Sequence, residues 1–178
     1  MFILVAYASD HGSTRGVAAR IAARLVEAGS GVDLRPVDEV ADIAGYDAVV
    51  VGSAVHDQAW LPAAVRFVLD NRAALASRPV WLFSVGMPGA LPRPLRRLAM
   101  GEGPKVIAGF HDAVGPRGHR LFTGAVRPEH LPRLGRLLFR LVGGRYGDFR
   151  NWPEIDAWAR EIAAALAGRS PGRSRAGA

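Results

Sequence analysis

Ser9-Asp10-His11-Gly12-Ser13-Thr14 follow directly on the apolar run Phe2-Ile3-Leu4-Val5-Ala6-Tyr7 and lead into a helical pattern that begins near Arg15. A strand, a hydroxyl-rich tight loop and a helix start, in that order, offer one anion unpaired backbone N–H groups, hydroxyl donors and the positive end of a helix dipole. That chemistry suits a terminal phosphate, and so a phosphorylated cofactor. A plainer reading of the same residues is that Ser9 or Ser13 merely caps the helix, in a strand-to-helix turn common to many α/β proteins.

Two other segments share the property of small, turn-forming residues placed after an apolar run. One is Gly52-Ser53-Ala54-Val55-His56-Asp57-Gln58-Ala59-Trp60, which couples a Gly-Ser-Ala turn to an imidazole and an indole. The other is Ser84-Val85-Gly86-Met87-Pro88-Gly89, whose glycine-flanked backbone can approach a flat ring edge. A planar heteroaromatic with one phosphate tail fits all three segments. The candidate binding residues are therefore Ser9 to Thr14, Ser53, Ala54, Val55, His56, Trp60, Ser84, Val85 and Gly86. Trp60 has a second reading, as a hydrophobic staple for the helix after Pro62. Arg93, Arg96 and Arg97, just behind the third segment, suit a carboxylate-bearing substrate. Trp152 and Trp158 read as packing residues, and Asp148 with Arg150 reads as a loop salt bridge.

These segments need a scaffold, and the hydrophobic pattern supplies one. Strand-like runs at Phe2 to Tyr7, Gly31 to Val37, Ala48 to Gly52, Pro79 to Gly86 and Arg120 to Val126 alternate with helical patterns at Ser13 to Ala28, Leu61 to Arg72 and Trp152 to Ala167. Runs that are apolar at every position, such as Phe2 to Ala6 and Ala48 to Val51, predict strands covered on both faces. Val32 to Val37 alternates and holds a proline, which predicts an edge strand. Lys105-Val106-Ile107-Ala108 reads as a short strand or as a helix start after Pro104, and the helix is preferred. This order predicts a doubly wound α/β domain with a parallel sheet, and ligands in such sheets bind beyond the carboxyl ends of the strands.

The domain is predicted to span residues 1–167, with a basic helical insertion at about 128–146. In it Arg133, Arg136 and Arg140 share one helical face while Leu134, Leu137, Leu138 and Leu141 share another. Such a helix either covers the sheet with its charges in water or lies on an anionic membrane surface or partner. Residues 168–178 have almost no apolar material and predict a disordered basic tail.

The chain has 178 residues, 49% hydrophobic, enough for one core. It has no cysteine, so disulfides, thiolate metal sites and cysteine nucleophiles are excluded and redox chemistry requires a bound organic cofactor. Neither a signal segment nor a membrane-spanning run is visible, which predicts a cytoplasmic protein. The net charge of +7 is uneven: residues 1–70 hold 5 basic and 9 acidic side chains, and residues 71–150 hold 14 and 4, nearly all of the basic ones arginine. Carboxylates, phosphates and anionic lipid suit such a surplus, although a solvated arginine-rich face accounts for it equally. Ser-His-Asp, His-Glu and Walker patterns are missing, so neither a metal site, hydrolysis nor phosphoryl transfer is expected. Aromatics are too sparse in the basic stretch to suggest a nucleic-acid platform.

The loop Ser9-x-x-Gly12-Ser13-Thr14 resembles the flavodoxin phosphate loop, and Tyr46 to Ser53 is similar to that family's third strand and turn. Further matches at Ser53-Ala54-Val55-His56, Trp60-Leu61-Pro62-Ala63, Phe83 to Gly86, Phe122 to Ala125 and Gly147 to Trp152 resemble the quinone-linked protoporphyrinogen oxidase group within it. The resemblance implies a flavodoxin-like five-stranded sheet of order 2-1-3-4-5, FMN as cofactor, and an oxidoreductase passing electrons from a small molecule, protoporphyrinogen IX by this likeness, to a quinone or redox protein. A non-catalytic electron carrier of the flavodoxin type is the alternative. The basic helix would then bring the protein to the inner face of the membrane. Two departures stand out: His11 replaces the usual loop threonine, and His56 lies where relatives place an aromatic.

Overall fold

The computed structural model describes residues 1–92 and 105–168. Its frame is a parallel sheet of β1 (Phe2–Ala8), β2 (Gly31–Pro36), β3 (Ala48–His56), β5 (Val80–Gly86) and β6 (Gly118–Thr123), in the order β2-β1-β3-β5-β6. Counting these five alone gives the expected 2-1-3-4-5. β4 (Ala59–Trp60) is a short antiparallel partner of β3. The helices are α1 (Ser13–Glu27), α2 (Pro62–Asp70), α3 (Arg72–Ala76), α4 (Lys105–Val114), α5 (Arg133–Leu141) and α6 (Trp152–Ala167).

Strand alternation divides the core into two layers. Ile3, Val5, Val50, Phe83, Val85 and Phe122 point to the side covered by α1 and α6, where Trp158 packs edge-on against Phe83 and Phe122 at centroid distances of 6.1 and 5.5 Å. Leu4, Ala6, Val49, Val51 and Leu82 point to the other side, under α2, α3 and α4. Burial on both faces is why these strands are apolar at every position. Trp152, read as structural, lies half-buried with the Arg150 guanidinium 4.6 Å from its ring centre.

Three sequence expectations need correction. β3 runs through Gly52 to His56 and is not a turn there: Gly52 and Ser53 pair with both β1 and β5, and Gly52 is needed because a Cβ would stand 1.9 Å from Phe83 Cζ. Gly52 makes room for a core ring. The helix expected over Leu61 to Arg72 is two helices, α2 and α3, divided at Asn71. The strand expected over Arg120 to Val126 stops at Thr123. Residues Ala125–Val126 form β7, antiparallel to β8 (Gly147–Asp148). Between β7 and β8 the chain makes an excursion carrying α5, held by a small core of Ala90, Val126 and Phe139. The tail expected beyond Gly168 lies outside the described residues.

Candidate functional site

Register sets the site. Ala8 of β1 pairs with Ser53 of β3, Ser53 pairs with Ser84 of β5, and Gly86 of β5 pairs with Thr123 of β6. The carboxyl ends of the central strands therefore finish level, and their loops enclose one cleft of about 370 Å³. Its walls include Ser9, Asp10, His11, Ser13, Thr14, Ala54, Val55, His56, Val85 and Gly86, ten of the residues expected from sequence. A cleft of that size is in the usual range for small-molecule sites.

One end of the cleft is built for an anion. Gly12 precedes α1 with φ of +77°, a left-handed conformation that glycine adopts without steric cost, and no side chain caps the helix. The first-turn N–H groups of α1 have no intrahelical acceptors and no acidic side chain beside them. Ser9 Oγ is buried and has no hydrogen-bond partner. Burying a hydroxyl without a partner costs about 1–3 kcal/mol, so an acceptor or donor supplied from the cleft would relieve it. Ser13 Oγ accepts the Ala125 N–H at 2.9 Å and keeps its own proton for donation. Serine capping of α1, the plainer reading, is not what the structure contains.

The other end is wider and mixed in character. His56 Nε2 lies 3.4 Å from Asp10 Oδ2, and the rings of His11 and His56 stand 6.2 Å apart. These three side chains join the first loop to the end of β3. Opposite them are Met87, 41% exposed, with Val126, Leu131 and Pro132.

Three expected contacts do not occur through side chains. Trp60 is buried, stacked edge-on against Phe110 at 5.3 Å, and its Nε1 donates to Ser84 Oγ at 2.7 Å. The indole therefore offers no face to the cleft. Ser84 Oγ also lies 2.8 Å from His119 Nε2, which fixes it inside the protein. Ser53 Oγ accepts the Leu61 N–H and donates to the Ala54 carbonyl, bracing the start of α2. The reason is a tight turn at Asp57 and Gln58, with φ of +48° and +61°, which folds β4 back along β3. Arg93, Arg96 and Arg97 lie outside the described residues. Asp148 and Arg150 do form the expected ion pair, and the Arg150 guanidinium holds the Asp148 carboxyl below its ordinary range.

Sequence reasoning missed Asp57, Met87, Gly124, Ala125, Val126, Leu131 and Pro132 as cleft residues. Gly124 to Val126 were within reach, since they follow a fifth strand whose carboxyl end faces the same crevice. Leu131 and Pro132 arrive only through the excursion between β7 and β8, and carried no local signal. Among the described residues there is no cluster of His, Asp or Glu able to hold a metal ion, and no helix is long and apolar enough to cross a membrane.

A family model described as a flavodoxin domain matches residues 4–148. No curated protein matches by sequence. Among solved structures, a flavodoxin from the domain Archaea aligns with a TM-score of 0.61 and 16% identity, over 94% of this chain and 99% of that one. A flavodoxin from Pseudomonas aeruginosa aligns with a TM-score of 0.59 and 15% identity, over 94% and 100%. The rubredoxin oxygen:oxidoreductase of Desulfovibrio gigas aligns with a TM-score of 0.60 and 18% identity, over 94% of this chain but only 36% of that larger protein. At these identities the likeness concerns the fold.

Proposed function

Because the chain belongs to the flavodoxin domain family, whose members bind FMN and transfer electrons, we propose that it is an FMN-dependent oxidoreductase with its flavin in the cleft between β1, β3 and β5. The observation that carries this reading is the uncapped start of α1 with the buried, unpartnered Ser9 hydroxyl, on the wall of a cleft of about 370 Å³. Ser9, Ser13, Thr14 and the backbone around Gly12 would hold the phosphate. Ala54, Val55, His56, Val85, Gly86 and Met87 would border the ring. Bound there, FMN would supply the redox chemistry, taking two electrons from a reduced donor and giving them to a quinone or a redox protein.

The protein's own contribution is placement. The level ends of β1, β3 and β5 set the loops against one ligand, and the loops rest on strands that are buried on both faces. Asp10 orients the His56 imidazole at the cleft edge, within 3.4 Å. Leu131 and Pro132 add apolar surface to the cleft wall. The motif likeness points to protoporphyrinogen IX as donor, and its propionates match the arginine surplus of residues 71–150.

The visible spectrum of the purified protein, before and after added FMN, tests the flavin. Yellow protein, or quenching of FMN fluorescence on mixing, is expected; colourless protein that leaves FMN fluorescence unchanged overturns the reading. Bleaching of the flavin by protoporphyrinogen, with reoxidation by menadione, separates the enzyme from a carrier. Exchange of single electrons with a redox protein and no reaction with porphyrinogen would favour the carrier.

A further inference from the structure

Helix α5 turns its leucines outward. Leu134, Leu137, Leu138 and Leu141 are 67%, 56%, 54% and 73% exposed, and Val142 adds to them at 46%. At about 100° per residue the four leucines form one stripe. Phe139 points the other way, into the small core with Val126 and Ala90, and its ring meets Tyr146 at 5.2 Å. Among the described residues, Phe139 anchors the helix and the leucine stripe faces outward. Scattered exposed leucines are ordinary, but a contiguous stripe on one short helix marks an interaction surface.

The surroundings select the partner. Arg133, Arg136 and Arg140 flank the stripe on one side; Arg136 Nε donates to the Leu131 carbonyl, and the Arg140 guanidinium lies 5.7 Å from the Tyr146 ring centre. Between residues 117 and 145 the sequence holds seven arginines and one glutamate. The leucine stripe stands on a convex helix and includes no aromatic anchor of the kind that dominates protein interfaces. A convex apolar stripe beside guanidinium groups fits a fluid apolar layer with anionic headgroups.

We infer that α5 docks this protein on an anionic phospholipid surface, its leucines among the upper acyl chains and its arginines on lipid phosphates. Leu131 and Pro132, on the cleft wall, immediately precede the helix, so docking holds the cleft beside the lipid. Given the flavin reading above, on which this clause rests, the electron partner is then a molecule dissolved in the bilayer.

Flotation of the full chain with vesicles tests this. Vesicles of phosphatidylcholine with about a third phosphatidylglycerol should carry the protein upward, and pure phosphatidylcholine should carry much less. The double variant Leu137→Glu with Leu141→Glu should lose about tenfold or more of the binding to anionic vesicles, since charged residues on the apolar stripe oppose insertion. Both positions are exposed, and unchanged circular dichroism and melting temperature confirm folding. No binding of the native chain to anionic vesicles overturns the inference. So does equal binding by the double variant, or binding that ignores lipid charge. A native dimer that the double variant turns into a monomer, without vesicle binding, would assign the stripe to a second copy instead. FMN quenching measured on the same samples keeps the two readings apart: either property lost alone sinks only its own claim.

Discussion

Ser13 Oγ accepts the Ala125 N–H at 2.9 Å, tying the start of α1 to the start of β7, just past the last parallel strand, across 112 positions of sequence. Gly124 makes the approach feasible, because a Cβ there would lie 2.6 Å from Ser13 Oγ and 2.8 Å from Val85 Cγ1. Replacing Gly124 by Ala should push the Ser13 loop away from the cleft and weaken FMN binding by about tenfold, a loss of about 1.4 kcal/mol. Fluorescence titration of FMN measures it.

His11 holds the position where the family loop carries a hydroxyl. Under the proposed function, His11→Thr adds a hydroxyl donor to the phosphate end and should tighten FMN severalfold, by the net worth of one hydrogen bond, about 0.5–1.5 kcal/mol. Weaker or unchanged binding in the same titration would mean that the imidazole is itself the ligand or faces away from the phosphate.

Ser84 serves two side chains at once. Its hydroxyl receives the Trp60 indole N–H at 2.7 Å and meets His119 Nε2 at 2.8 Å, in a fully buried position. Ser84→Ala strands the indole N–H without an acceptor, which should lower unfolding stability by about 1–3 kcal/mol. Denaturant unfolding followed by tryptophan fluorescence should show the midpoint fall.

The turn at Asp57 and Gln58 adopts positive φ at two non-glycine residues, where a two-residue hairpin prefers Asn-Gly. Changing Asp57 to Asn together with Gln58 to Gly should raise stability by about 1 kcal/mol while keeping the β3–β4 pairing. A higher unfolding midpoint with an unchanged denaturant slope is the expected readout.

Acid sensitivity follows from paired carboxylates. Hydrogen bonds from Arg35 and Tyr46 depress Asp33, one from Arg150 depresses Asp148, and one from Arg20 depresses Asp156, each below the ordinary 3.8. A carboxyl with a lowered folded-state pKa contributes stability above its unfolded value and loses it as pH falls through the folded value. Stability should therefore decline below about pH 4. Asp156→Asn, which removes the negative charge and one of the two oxygens that accept Arg20 bonds at 2.6 and 2.7 Å, should be less stable than the native chain near neutrality and converge with it in acid. Unfolding curves measured across that range give the difference directly.

The central strands and the helix start after β1 were legible because both rest on local signals, whereas the sheet order came only with the family resemblance. Strands apolar at every position announce burial on two faces, and a Gly-Ser-Thr sequence after such a strand announces a helix start. Trp60 was misplaced for a physical reason. Asp57-Gln58 lacks the asparagine or glycine that marks a tight hairpin, so the segment reads as an open loop, whereas the turn sends the indole back to Ser84 and Phe110. Gly52 misled similarly, since its role is clearance for Phe83, a neighbour 31 positions away in sequence. Leu131 and Pro132 reach the cleft through the excursion that Phe139 and Val126 anchor, which no local pattern encodes.

The pairing of Ala125 with Asp148 and of Val126 with Gly147 closes the excursion at its neck, so residues 127–146 leave the domain and rejoin it side by side. A polypeptide inserted through so narrow a gate can be lengthened, exchanged or trimmed to a simple turn while the parallel sheet keeps its register. In this architecture the Ser9–Thr14 loop and the outward leucines sit on separately anchored segments, so a lineage could recast the leucine face while the loop after β1 keeps its frame.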